Sequence, residues 1–183
     1  MTKTRTFIAL ALPAILRDAL VEELAGARES TRGVRWVAAE NLHVTLKFYG
    51  DVAAPVIEAL TQQLSQLETR PFRLVLEGVG AFPSWRRPRV VWVGLTEAES
   101  AVMALVEAME RVSSALGFAR EARPFRPHLT IGRVRQGVRS ELTALQPLTG
   151  RRFGVWDVDR LTLFASELRP EGARYRALYE RPL

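Results

Sequence analysis

The chain has two histidines, and both stand in the same setting: His43-Val44-Thr45-Leu46 and His128-Leu129-Thr130-Ile131. Each is a His-apolar-Thr-apolar tetrapeptide, and such alternation is the pattern of a strand with one buried face. On a strand, residues i and i+2 share a face. Each His therefore projects with its Thr, about 6–7 Å apart along the strand at roughly 3.3 Å per residue. Val44, Leu46, Leu129 and Ile131 turn the other way, into a core. The two motifs lie 85 residues apart, as do Phe7 and Trp92, and Leu76 and Leu161. Around them the order strand, helix, His-strand, helix, strand occurs twice. A chain that repeats itself in this way has few folds open to it. Two related halves pack about a pseudo-twofold axis, with the His-strands facing each other across it.

The elements follow from local pattern. Thr6–Leu12 reads as a buried strand. Pro13 suits the first turn of a helix, whose stripe of Ile15, Leu16, Ala19, Leu20 and Leu24 breaks near Gly26, before a polar loop over 28–33. The first motif strand continues through Lys47, Phe48 and Tyr49 and stops at the turn signal Gly50-Asp51. Residues 54–67 have helical spacing. Phe72, Leu74 and Leu76 alternate with Arg73 and Val75 in a strand running towards Phe82. The connection 82–89 then divides the chain, giving halves of about 1–85 and 86–183 within one bilobal domain and leaving room for strands to exchange between lobes. Val90–Leu95 is a buried strand, and 97–116 is the longest helix, with Gly117 as its C-cap. Arg123-Pro124-Phe125-Arg126-Pro127 is extended, since residues before proline avoid helix. Residues 137–148 read as a short helix and 153–164 as a strand with a turn near Asp157 and Asp159. The end, 166–183, is a hairpin around Pro170-Glu171-Gly172.

Composition narrows the chemistry. There is no cysteine, so there is no disulfide framework, thiolate zinc site or cysteine nucleophile. This suits a cytoplasmic protein. No apolar run approaches a membrane span. The run from Phe7 to Ala14 is read as strand and helix rather than a signal peptide, because no small-residue cleavage site follows it. The net charge is +6, and 24 of the 26 basic residues are Arg. Arg suits bidentate contact with phosphate, so nucleic acid or another phosphorylated partner is favoured.

Two imidazoles across one cleft suit general acid–base catalysis, since unperturbed His titrates at about 6.5. One takes a proton from an attacking water and the other gives one to the leaving oxygen. A phosphorus centre, attacked and left in line, fits between them. Thr45 and Thr130 can donate to non-bridging phosphate oxygens. Arg133 can neutralise the same phosphate if Gly132 bends or bulges its strand; otherwise alternation puts it on the far face. Catalytic zinc usually needs three protein ligands. The chain has no His-Glu-x-x-His, no cysteine and no third His, so neither a metal nor a cofactor is expected. A serine triad lacks its Gly-x-Ser-x-Gly elbow. Symmetry leaves open which His is acid and which is base.

These residues resemble the two-histidine (2H) phosphoesterase superfamily, marked by paired His-x-Thr-x motifs. Within it the chain is similar to the RNA 2′,3′-cyclic phosphodiesterases, also known as 2′-5′ RNA ligases. The likeness extends to Arg5-Thr6-Phe7, Arg35-Trp36-Val37, Asn41-Leu42 with Phe48 and Gly50, Phe82-Pro83, Pro88-Arg89 with Trp92, Pro127 with Arg133, and Ser166-Glu167-Leu168 with Gly172 and Tyr175. Tyr49 stands where the family usually has Leu, a change expected to touch strand packing or what stacks near the cleft, and Gly132 where it often has Ala.

The resemblance implies an α+β fold, bilobal, with two antiparallel sheets lining a central cleft and helices outside. It implies hydrolysis of an RNA 2′,3′-cyclic phosphate to a 2′-phosphate, with His43 as acid and His128 as base, and the reverse joining of ends through a 2′-5′ bond. The substrate class is RNA with 2′,3′-cyclic phosphate ends, tRNA fragments among them, and the protein is expected to be a monomer. Two rivals remain. One is a relative acting on a small cyclic nucleotide or 2′-5′ oligoadenylate. The other is a non-catalytic basic RNA-binding module, stacking bases on Trp36, Phe48, Tyr49, Trp85 and Phe125. Arg120, Arg123, Arg126, Arg133, Arg135 and Arg139 mark the side along which an RNA chain would lie.

Overall fold

The structure, a computed structural model, describes residues 3–169 and 172–183. It is α+β, with two antiparallel sheets. The strands are β1 (Lys3–Ala11), β2 (Val34–Trp36), β3 (His43–Ala53), β4 (Phe72–Phe82), β5 (Val90–Thr96), β6 (His128–Val134), β7 (Arg152–Val158), β8 (Arg160–Arg169) and β9 (Gly172–Pro182). The helices are α1 (Ala14–Ser30), α2 (Ala54–Ser65) and α3 (Glu99–Ala115), with short 3-10 turns at Ala39–Asn41 and Thr143–Leu148.

The four-stranded sheet has the order β3-β1-β8-β9, and the five-stranded sheet β2-β6-β5-β4-β7. Shifted by 85 residues, β1 falls on β5, α1 on α3, β3 on β6, and β4 on β8. The first sheet is therefore the image of the second, β3-β1-β8 matching β6-β5-β4. The last strand of each repeat has changed sheets: β4 pairs with β5, and β8 pairs with β1. The helices cross over too. α1 packs on β7 of the five-stranded sheet, while α3 packs on β3 of the other. Leu76 and Leu161, one on each exchanged strand, are both fully buried.

Several boundaries differ from the sequence reading. α1 runs through Gly26 to Ser30; Gly26 lies on an open face, with space around the position a Cβ would take, and a helical glycine costs only about 1 kcal/mol. β3 passes Gly50 and ends at Ala53; Gly50 takes φ +71°, which glycine tolerates. α1 is as long as α3, 17 residues each. The 137–148 segment is a turn followed by a 3-10 helix, with Pro147 inside it. Val75 is as buried as Leu74 and Leu76, so β4, which lies inside its sheet between β5 and β7, is covered on both faces at this point. The 153–164 segment breaks at Asp159, where the chain crosses from β7 in one sheet to β8 in the other. β8 and β9 form the closing hairpin; Pro170 and Glu171 of its expected turn lie outside the described residues. No described helix is long and apolar enough to cross a membrane.

Candidate active site

The two motif strands meet where the sheets adjoin, β3 against β6. Val44, Leu46, Leu129 and Ile131 are buried beneath them, and His43, Thr45, His128 and Thr130 are half-buried on the other face. This is the alternation the sequence required.

Both imidazoles are held alike. His43 Nδ1 lies 2.6 Å from the Asn41 carbonyl, and His128 Nδ1 lies 2.7 Å from the Arg126 carbonyl. A carbonyl only accepts, so each Nδ1 carries the proton and donates, and each Nε2 is left with a lone pair when the ring is neutral. The Thr45 hydroxyl then donates to His43 Nε2 at 2.9 Å. His128 Nε2 has no such partner among the described residues. Asn41 is itself fixed, its Nδ2 donating to the Ala173 carbonyl of β9 at 2.6 Å. Each ring also rests on aromatic neighbours. Phe7 lies 5.0 Å from His43 and Tyr175 stands edge-on to it at 5.2 Å, while Phe82 stands edge-on to His128 at 5.0 Å. Sequence reading missed these carbonyl and aromatic supports. The signals present were that Asn41 and Arg126 are also 85 residues apart and that Phe7, Asn41, Phe82 and Tyr175 belong to the family likeness.

Arg133 reaches the cleft because β6 bulges. Thr130 pairs with Trp92 and Gly132 with the adjacent Val91, so Ile131 is the extra residue. The bulge returns Arg133 to the face of His128 and Thr130. β3 bulges at the equivalent place, where Thr45 pairs with Ala9 and Lys47 with Ile8, leaving Leu46 over. Phe48 is thereby turned outward, 59% exposed.

Burial lowers the pKa of both histidines below the ordinary value. The carbonyl partner opposes this, and the Arg133 charge adds to the lowering in each case. Arg133 also acts on Tyr175, whose hydroxyl is pushed up by burial and pulled down by Arg133 and Arg5. A cavity of about 340 Å³ beside the motifs is lined by Arg5, Arg35, Trp36, Phe48, Arg133 and Tyr175, among others. A larger one, about 830 Å³, is lined by 65–72, α3 and Arg181; neither cavity is lined by a histidine, but only the smaller is lined by Asn41 and Tyr175, which touch His43, and by Arg133.

Of the aromatics considered for stacking, Phe48 and Trp36 line this cavity. Tyr49 does not. It is buried, and its hydroxyl lies 3.1 Å from Ser113 Oγ on α3. Trp85 and Phe125 pack against the core. Arg123, Arg126, Arg135 and Arg139 are exposed beside the second motif, and Arg120 pairs with Glu107. No cluster of three metal-ligating side chains occurs among the described residues.

A family model described as LigT like Phosphoesterase matches the chain twice, over 10–92 and 93–175. The RNA 2′,3′-cyclic phosphodiesterase of Archaeoglobus fulgidus is 34% identical over 177 residues, covering 95% of this chain and 97% of its own length. The protein of that name from Escherichia coli is 32% identical over 174 residues, covering 95% and 93%. The crystal structure of Escherichia coli LigT complexed with 3′-AMP superposes with a TM-score of 0.82 at 30% identity, covering 99% of this chain and 98% of that one. The structure of TT0787 from Thermus thermophilus does so at 0.75 and 33% identity, covering 98% and 97%.

Proposed function

Because this chain belongs to the LigT-like phosphoesterase family, we propose that it hydrolyses RNA 2′,3′-cyclic phosphates to 2′-phosphates by two-histidine acid–base catalysis. The observation that carries the mechanism is the pair of imidazoles, each with Nδ1–H fixed on a backbone carbonyl two residues upstream. That bond fixes Nε2 as the working atom in both.

His128 Nε2, without a partner among the described residues, accepts the proton of the attacking water. The water oxygen bonds to phosphorus as the bond from phosphorus to the 3′ oxygen breaks. His43, protonated at Nε2 once the phosphate anion is present, gives that proton to the leaving 3′ oxygen. The anion offsets what burial and Arg133 do to both rings. Thr45 and Thr130 donate to non-bridging oxygens, and Arg133 pairs with the developing charge. With a 5′-hydroxyl end in place of the water, the same steps join the two ends through a 2′-5′ bond, the 3′ oxygen again leaving. RNA ends, including tRNA fragments, are the proposed substrates of a monomeric, cytoplasmic enzyme folded as one bilobal unit.

The test is an oligonucleotide ending in a 2′,3′-cyclic phosphate, incubated with protein and EDTA. A terminal 2′-phosphate should appear. His43→Ala and His128→Ala should each lower the rate by about 10²–10⁴-fold. Full activity in either variant would sink the two-histidine mechanism. Salt-dependent RNA binding without turnover, unchanged in both variants, would instead mark a binding module.

A further inference from the structure

Behind the first motif lies a buried polar cluster that the chemistry above does not use. Lys47 Nζ donates to both oxygens of Glu110 at 2.8 Å and to the Ala119 carbonyl at 3.1 Å. The residues are 7% and 6% exposed. Two residues on, the Tyr49 hydroxyl meets Ser113 Oγ, which in turn donates to the Met109 carbonyl. Both ties join β3, which carries His43, to α3, which belongs to the other repeat.

The stretch they hold is irregular. Leu46 is the extra residue between Thr45 and Lys47, and Tyr49 is a second one between Phe48 and Gly50. Between these two bulges the chain sends Lys47 and Tyr49 inward and Phe48 into the cleft. The second motif needs no such tie. At the position matching Lys47 it has Gly132, whose backbone lies so close under Val34 and Trp36 of the adjacent β2 that a Cβ would meet Val34 Cγ1 at 2.6 Å. β3 is the edge strand of its sheet, with no hydrogen-bonded strand on its outer side among the described residues.

Buried ion pairs add little net stability, and apolar pairs of similar volume often replace them without loss. What a bidentate pair does supply is a fixed geometry. We propose that Lys47–Glu110, reinforced by Tyr49–Ser113, is a positioning latch that holds the double bulge of β3 and thereby sets His43 against Thr45 and Phe48 towards the substrate. The proposal rests on the reading of His43 as a proton donor, and it predicts an effect on the first motif alone.

The variant Lys47→Met with Glu110→Leu removes both charges together, leaving neither one buried alone. It should melt close to the wild type yet lose about 10-fold or more in kcat with KM little changed, since displacement of a catalytic group by about 1 Å can cost about 10²-fold. Imidazole ¹⁵N spectra should show His43 losing its single Nδ1–H tautomer while His128 keeps it. Unchanged kcat and an unchanged His43 signal would overturn the latch, and so would equal disturbance of both histidines. Should the double variant not fold, Tyr49→Phe decides. It deletes one hydroxyl and should move kcat and the His43 signal in the same direction, and no change in either would overturn the latch. Should the wild type itself not turn over cyclic phosphate, the function fails separately, and the His43 signal alone decides the latch.

Discussion

Phe48 and Arg133 occupy the same position in the two repeats, each five residues after its histidine and each delivered to the cleft by a bulge at the fourth residue of the motif. The backbone there is symmetric and the side chains are not. One half offers a ring and the other a cation. That adds to the difference set by Thr45, whose hydroxyl bonds His43 Nε2 while His128 Nε2 has no such partner among the described residues.

Removing the cation should act on both rings. In Arg133→Gln, NMR titration midpoints of His43 and His128 should both rise, because Arg133 lowers each. Turnover of the cyclic phosphate should fall by on the order of 10²-fold. A rise confined to one ring would mean that Arg133 does not face both.

Acid should weaken the fold through these same groups. Burial holds both imidazoles below their unfolded value of about 6.5. A depressed folded pKa contributes stability that is present above the unfolded value and is lost as pH falls through the folded one. Between about pH 7.5 and about pH 5, the wild type should therefore lose more stability than a variant carrying His43→Gln and His128→Gln. Parallel denaturation curves for the two at each pH would contradict this.

Two glycines should respond in opposite directions to alanine. A Cβ on Gly132 would stand 2.6 Å from Val34 Cγ1 and 3.1 Å from Trp36, so Gly132→Ala should destabilise by about 1–3 kcal/mol as β2 shifts. Gly26 on α1 has open space around it, and Gly26→Ala should stabilise by about 0.4–1 kcal/mol. Urea unfolding at constant slope measures both.

The exposed arginines before the second motif bear on chain length. Charge reversal at Arg123 and Arg126 should raise KM for an RNA oligonucleotide more than for a cyclic mononucleotide. Equal increases would place the RNA chain elsewhere.

Local features were legible in the sequence. The His-x-Thr-x alternation, the core positions Val44, Leu46, Leu129 and Ile131, and the break near Asp159 each depend on neighbouring residues, and the 85-residue offset shows on aligning the chain with itself. What was not legible depended on pairing. Arg133 was conditional because a bulge is a property of two strands. Lys47 shares parity with His43 and Thr45, which puts it on the cleft side; the bulge at Leu46 sends it inward instead. A carboxylate at Glu110, beside Met109 on the apolar stripe of α3, was the one sign that a buried cation would be needed there. The supports at Asn41 and Arg126 are backbone carbonyls, which any residue supplies.

The exchange of β4 and β8 has a further consequence. Two separate copies of one repeat, trading their last strands, would make a symmetric swapped dimer. Its cleft would exist only while both copies stayed bound, and the twofold would force the same residue onto both sides. Here a single covalent link, residues 83–89, ties the copies together. The cleft is then independent of concentration, and each side is free to differ from the other. A reaction in which one histidine gives a proton while its counterpart takes one needs that freedom.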